Sequence, residues 1–350
     1  MKTDHILIIR FSAIGDIAMT VPVVYSLAMQ YPHLRITVLS RPFARCFFDN
    51  LAPNVGFMEA DVKGEYRGVK GLNALYRRLM AKNFTAIADL HDILRSKYLR
   101  LRFNLGMHKV AHVNKHHREK RMLTAKNNKQ LVQLPTAFQN YADVFAKLGY
   151  PIQLDFTSIF PREGGNLHLL ASEIGERKKF QQWIGIAPFA AHPNKVYPLD
   201  KMEEVITMLM KKHPSCRIFL FGGNDAEKDV LCKWEEKYAC CTNASDKLGS
   251  IEKELILMSH LDLMVSMDSA NMHLASLVNI PVVSVWGATH PYAGFLGWNQ
   301  SLDNAVQADL PCRPCSVYGK KKCERGDIAC MGQIQPQWIV DKVEAILAAK

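Results

Sequence analysis

Short unbroken apolar runs alternate along this chain with longer segments in which apolar residues recur at helical spacing. In the first half, residues 5–9, 35–39, 55–58, 85–90 and 109–113 read as strands. Residues 16–30, 71–82 and 134–148 read as helices. Strands alternating with helices predict a parallel sheet covered on both faces. Pro161, Gly164 and Gly165 interrupt the pattern, and a charged helix is predicted at 167–180. The alternation then restarts. Strands are predicted at 183–187, 217–221, 263–266 and 281–286, and helices at 199–212, 225–238, 251–259 and 270–277. The expected fold class is therefore α/β, with two facing Rossmann-like domains and an interdomain cleft, ligands lying at the carboxyl ends of the strands. The boundaries expected are 1–163 for the first domain, 164–181 for a linker and 182–335 for the second. An amphipathic helix at 336–350 is expected to cross back onto the first domain.

A length of 350 residues agrees with two domains. There is no run of about 18 apolar residues that could cross a membrane. The N-terminus lacks the features of a signal peptide, since the apolar run Ile6–Ile9 is short and is followed by Arg10. It reads as the first buried strand of a cytoplasmic protein. The formal net charge is +11, and the excess is concentrated. From Arg95 to Lys129 there are eleven Lys and Arg residues against one acid, Glu119. Such a segment attracts an anionic partner at long range. Nucleic acid, an anionic membrane face and a phosphorylated acceptor are the candidates, beside a solvated loop with no partner. Only Tyr98 and Phe103 supply aromatic rings among these charges, and no nucleic-acid-binding motif is present, so nucleic acid is not expected.

Four loops carry candidate chemistry. Arg10–Asp16 follows the first strand, with Gly15 at the turn and Asp16 at a helix start. Asp16 suits either a helix cap or a catalytic carboxylate. The turn lacks G-x-G-x-x-G, which argues against a nicotinamide or flavin enzyme. In Ser266–Ala275, Asp268, Ser269 and Ala270 open a helix whose N–H groups can hold a diphosphate, with His273 one turn on. The loop 187–195 ends at Lys195, a flexible point charge suited to phosphate. Phe221–Glu227 is another glycine turn after a strand and contains Asn224.

Of nine cysteines, five are scattered as free thiols of a reducing compartment would be. The other four, Cys312, Cys315, Cys323 and Cys330, fall within 19 residues and include one C-x2-C pair. They could wrap a structural zinc. Two disulfides or four free thiols are the alternatives.

The segments IIRFSAIGD with the proline of TVPVV, SMDSANMHLAS followed by PVVSVWGAT, and the loop reaching Lys195 resemble glycosyltransferase family 9, the ADP-heptose–lipopolysaccharide heptosyltransferases, in order and spacing. The likeness runs over nearly the whole chain. It implies a GT-B fold and an inverting transfer of heptose from ADP-heptose, with no cofactor or metal required for catalysis. By position, Asp16 resembles the general base, and Lys195 the lysine that stabilises the donor diphosphate. Asp268, Ser269, Ala270 and His273 resemble the donor-binding helix start, and donor contacts are expected near Asn224. The motif more often has Thr-Gly where this chain has Ser269-Ala270. The implied acceptor is an anionic, lipid-linked saccharide of the lipopolysaccharide inner core, met at the cytoplasmic face of the inner membrane. Lys115, Arg118, Lys120 and Arg121 are the expected acceptor contacts. A transferase using another nucleotide sugar, a nucleotide-sugar epimerase and a basic nucleic-acid-binding protein are the competing readings.

Overall fold

In the computed structural model, which describes residues 4–349, five strands form a parallel sheet. They are β1 (His5–Ile9), β2 (Arg35–Ser40), β3 (Val55–Glu59), β4 (Ala86–Asp89) and β5 (Lys109–His112), in the order β3-β2-β1-β4-β5. Every residue of β1 and β4 is buried, as continuous apolar runs covered on both faces require. This unit comprises the chain to Lys115 together with Pro135–Ile159.

Two helices differ from the sequence pattern. The one expected at 16–30 is divided into Ile14–Ala18 and Val21–Gln30. Pro22 has no N–H to donate, so it begins a new first turn instead of continuing an old one. Helix Leu94–Leu105 was not expected at all. Its buried stripe of Ser96, Leu99 and Phe103 is narrow, and Arg95, Lys97, Arg100 and Arg102 around it hide the period.

The second unit comprises His116–Leu134 and Phe160 to the C-terminus. Its strands are β6 (Trp183–Ala187), β7 (Arg217–Leu220), β8 (Cys241–Asn243), β9 (Leu263–Met267), β10 (Val282–Trp286) and β11 (Ala305–Gln307). They run parallel in the order β11-β10-β9-β6-β7-β8. The edge strands β8 and β11 have three residues each, too few to show a period in sequence. The helix expected at 167–180 is short, a 3-10 turn at Leu167–Leu170 and one turn at Ala171–Ile174. Gly175 at φ +73° ends it.

Two placements change the sequence picture. Helix Pro336–Ala348, expected to cross back onto the first domain, spends its apolar face in the second unit. Ile339, Val340 and Val343 join a core with Val205, Leu209 and Val283, and His213 meets Glu344 at 2.8 Å. The later part of the basic segment also belongs to the second unit. Lys129 donates to the carbonyls of Pro311 and Arg313 at 3.1 and 2.7 Å, and Leu134 N–H donates to the Tyr292 carbonyl. Among the described residues no helix is long and apolar enough to cross a membrane.

In each sheet the strand order reverses between two neighbours, β1 and β4 in one and β6 and β9 in the other. The loops after these four strands flank the position where open α/β sheets bind ligands.

Candidate active site residues

In the first unit the loop after β1 carries Arg10 and Asp16. Arg10 is buried and its guanidinium is fully engaged. It donates to the carbonyls of Ser12 and Leu90 and pairs with Asp16 Oδ2 at 2.8 Å. The N–H of Ala13 donates to the same oxygen at 3.1 Å. Asp16 does reach back to its own helix start, as a capping residue would. Its side chain nevertheless remains about a third exposed, so the carboxylate can still be approached. Capping and catalysis are compatible here.

The loop after β4 supports this carboxylate from behind. Phe11 N–H donates to His91 Nδ1 at 3.3 Å, and Ser12 Oγ lies 3.3 Å from His91 Nε2. Burial, then the nearby Arg10 charge, lowers the His91 pKa to about 3. A neutral ring that accepts at Nδ1 must carry its proton on Nε2 and donate it to the Ser12 hydroxyl. Asp89, wholly buried, accepts the N–H groups of His91 and Asp92, each at 2.9 Å, and meets Arg100 at 3.3 Å. Lys115 donates to the Asp92 carbonyl at 2.8 Å.

In the second unit Lys195 Nζ lies 3.0 Å from Asp268 Oδ2, and both side chains are largely buried. Lys195 comes from the loop after β6, Asp268 from the end of β9. The Thr289 hydroxyl, in the loop after β10, donates to the same Asp268 oxygen at 2.7 Å. Asp268 therefore holds the lysine and does not itself suit a phosphate, which it would repel. The anion-seeking groups are Lys195 and the start of helix Ala270–Leu277. Ser269 makes no side-chain cap to that helix; its hydroxyl meets Ser266 Oγ at 3.3 Å. By contrast, Asn224, Asn243 and Ser250 each cap the helix they precede. An uncapped first turn presents N–H donors and the positive end of the helix dipole.

The remaining expected residues fall into two groups. His273 is buried in the helix after Ala270. Asn224 makes a reciprocal capping box with Glu227, which occupies both its amide oxygen and its amide nitrogen. Of the four expected acceptor contacts, Arg118 and Arg121 are exposed on helix His117–Leu123 of the second unit. Lys120, on the same helix, is buried with its ammonium 4.4 Å from the Phe295 ring, and Lys115 belongs to the first unit. Cys312, Cys315, Cys323 and Cys330 are all free thiols and line one small cavity of the second unit. Among the described residues no three His, Cys, Asp or Glu side chains already converge as metal ligands.

Sequence reasoning assigned no role to Arg10, His91, Thr289 or Arg313. The first three lie in the loops that follow β1, β4 and β10. Arg313 lies within the cysteine cluster, and its donors reach the carbonyls of Gly287, Ala308 and Thr289.

The model of glycosyltransferase family 9 (heptosyltransferase) matches residues 72–324, more than two thirds of the chain. Lipopolysaccharide heptosyltransferase 1 of Campylobacter coli is 29% identical over 128 residues, 36% of this chain and 37% of the relative. The matched part thus spans little more than a third of that relative. Lipopolysaccharide heptosyltransferase 3 of Escherichia coli is 25% identical over 310 residues, 84% of this chain and 85% of the relative. Among solved structures, a family 9 glycosyl transferase from Veillonella parvula superimposes with a TM-score of 0.75 at 18% identity, covering 100% of this chain and 99% of that one. The E. coli heptosyltransferase WaaC with ADP gives 0.66 at 18% identity, covering 98% and 99%. Together with the two parallel sheets, these likenesses give the α/β fold as GT-B. The chain belongs to glycosyltransferase family 9, the heptosyltransferases.

Proposed function

We propose that the protein is an inverting transferase that moves heptose from ADP-heptose to the lipopolysaccharide inner core, on a lipid A–Kdo type acceptor. The observation that carries this reading is the Lys195–Asp268 pair, fixed where the second sheet reverses its order and beside an uncapped helix start. Lys195 and those N–H groups are suited to the charge that develops on a leaving diphosphate. Asp16, held by Arg10 in the first unit, takes the proton of the attacking acceptor hydroxyl, a role worth roughly 10²–10⁴ in rate. The residues assigned to transfer need no metal. WaaC, a fold neighbour at low identity, was solved with ADP, which favours an adenosine diphosphate sugar among the nucleotide sugars that such a cradle could hold.

Arg118 and Arg121 are the charges we assign to the anionic acceptor. A lipid-linked acceptor places the enzyme in the cytoplasm, in peripheral contact with the inner membrane surface. We further read Cys312, Cys315, Cys323 and Cys330 as a structural zinc site.

The test is a mass-spectrometric transfer assay with ADP-heptose and competing sugar nucleotides, with and without lipid A–Kdo acceptor. One heptose added from ADP-heptose in preference to the competitors is the expected product. An isomerised sugar nucleotide formed without acceptor would instead identify an epimerase.

A further inference from the structure

The cysteine loop leans on the donor lysine. Gly319, midway between Cys315 and Cys323, takes φ +79° and lies so close to Lys195 that an added Cβ would sit 2.5 Å from its Cδ. Asn194, next to Lys195, donates its amide to the Lys321 carbonyl. The N–H groups of Cys315 and Ser316 both donate to the Ala288 carbonyl, at 3.1 and 3.2 Å. Ala288 N–H donates in turn to the Asn194 carbonyl at 3.1 Å. Gly287 permits this approach, because a Cβ there would lie 2.6 Å from the Asn194 carbonyl oxygen. Arg313, between the first two cysteines, grips the carbonyls of Gly287 and Thr289. The hydroxyl of that same Thr289 holds Asp268, and Asp268 holds Lys195. Two routes thus lead from the thiols to the ammonium, one through Gly319 and Asn194, the other through Ala288, Thr289 and Asp268.

The four thiols surround one cavity with Arg313 and Arg325 in its wall. Lys129 and Lys321 also lie close enough to act on the thiols. Four thiolates around a divalent ion carry a net charge of −2; Arg325 and Lys321 are paired with Asp327 and Glu324, so the balancing charge comes from Arg313 and Lys129, which donate to backbone carbonyls. Thiolate sulfur selects zinc or ferrous iron among the common divalent ions. The donor set and its surroundings therefore fit such an ion, although the thiols are arrayed around the cavity without yet converging on one point.

We propose that the loop from Cys312 to Cys330 is a metal-closed brace for Lys195, so that a thiophilic divalent cation held by the four thiols sets the affinity for the donor diphosphate. Each thiol releases its proton to solvent as its sulfur takes the ion. The coupling rests on the donor role proposed above for Lys195. It goes beyond that role by making diphosphate binding depend on an ion that touches neither sugar nor phosphate.

The experiment measures metal by plasma mass spectrometry and ADP binding by calorimetry on the same reduced full-length preparations. The samples are the wild type, the wild type stripped with a chelator and then reloaded with zinc, Cys323→Ser, Gly319→Ala and Lys195→Ala. The expected wild type carries about one ion per chain. Stripping and Cys323→Ser should weaken ADP roughly tenfold, the size of one lost charge-assisted contact, with reloading restoring the stripped protein. Gly319→Ala should weaken ADP while the ion stays bound, which separates the brace from gross unfolding. In Lys195→Ala, stripping should change nothing further. A metal-free wild type with full ADP affinity overturns the metal site. A stripped protein with unchanged ADP affinity overturns the coupling. So does an equal loss on stripping in Lys195→Ala, since the brace would then act elsewhere. A metal-bound wild type that binds no ADP overturns the donor reading and the coupling with it, leaving the ion site standing.

Discussion

Lys195 and Asp268 meet at 3.0 Å across the reversal of strand order in the second sheet, and Thr289 shares the same Asp268 oxygen. The carboxylate fixes a lysine that would otherwise sample many rotamers, and so prepares it for a diphosphate. Asp268→Asn should therefore weaken donor binding although it removes a negative charge from an anion site. Simple electrostatics predicts the reverse sign. Because it breaks a largely buried ion pair, it should also cost roughly 3–5 kcal/mol of stability. Calorimetric titration with ADP and urea unfolding check both effects. Tighter ADP binding would show that Asp268 opposes the donor and does not serve it.

Thr289→Val keeps the shape and removes the hydroxyl. It should cost about 1.5–3 kcal/mol of stability, the size of a lost hydrogen bond to a charged group, and raise the donor KM with a smaller effect on the acceptor KM. Equal changes in both would separate Thr289 from the donor.

His91 gives a pH signature. The ring titrates near 6.5 when unfolded and at about 3 in the fold, chiefly because it is buried. Between these values the unfolded chain binds a proton that the folded chain refuses. The His91 contribution is therefore complete above about pH 6.5 and declines as the pH falls toward 3, by at most about 1.4 kcal/mol per unit. His91→Gln removes that share of the acid sensitivity. The stability gap between wild type and variant, measured by urea unfolding, should narrow from pH 7.5 to pH 5. A constant gap would mean that the ring does not stay neutral.

The basic residues should separate by burial. Arg118→Ala and Arg121→Ala should each raise the acceptor KM several-fold at low salt and less at high salt, since exposed charges are screened. Lys120→Met should leave the acceptor KM unchanged and lower stability, because its ammonium is committed to the Phe295 ring. A Lys120 effect on the acceptor KM equal to that of Arg118 would contradict this division.

The strands that carry function were legible because burial on both faces writes them as continuous apolar runs, as in β1, β6, β9 and β10. The loops after them were legible through Asp16, Lys195 and Asp268, whose residue types are informative at a helix start or strand end. What stayed hidden depended on contacts distant in sequence. Nothing local marks Thr289 as the partner of Asp268, 21 residues away, or His91 as the support of Phe11 and Ser12, about 80 residues away. The helix at Leu94–Leu105 was masked because arginine and lysine crowd its apolar stripe. The basic segment read as one feature because charge is additive along a sequence. In the fold it divides, with Arg100 and Lys115 bonded in the first unit and Lys120 and Lys129 bonded in the second.

The most direct test of Asp16 as the base, and of the second unit as the donor cradle, is single-turnover transfer from ADP-heptose by wild type and Asp16→Asn, with ADP binding measured on both. Asp16→Asn should slow transfer by roughly 10²–10⁴ and leave the ADP dissociation constant within about twofold. Transfer at the wild-type rate by Asp16→Asn, or the loss of ADP binding in step with transfer, would contradict it.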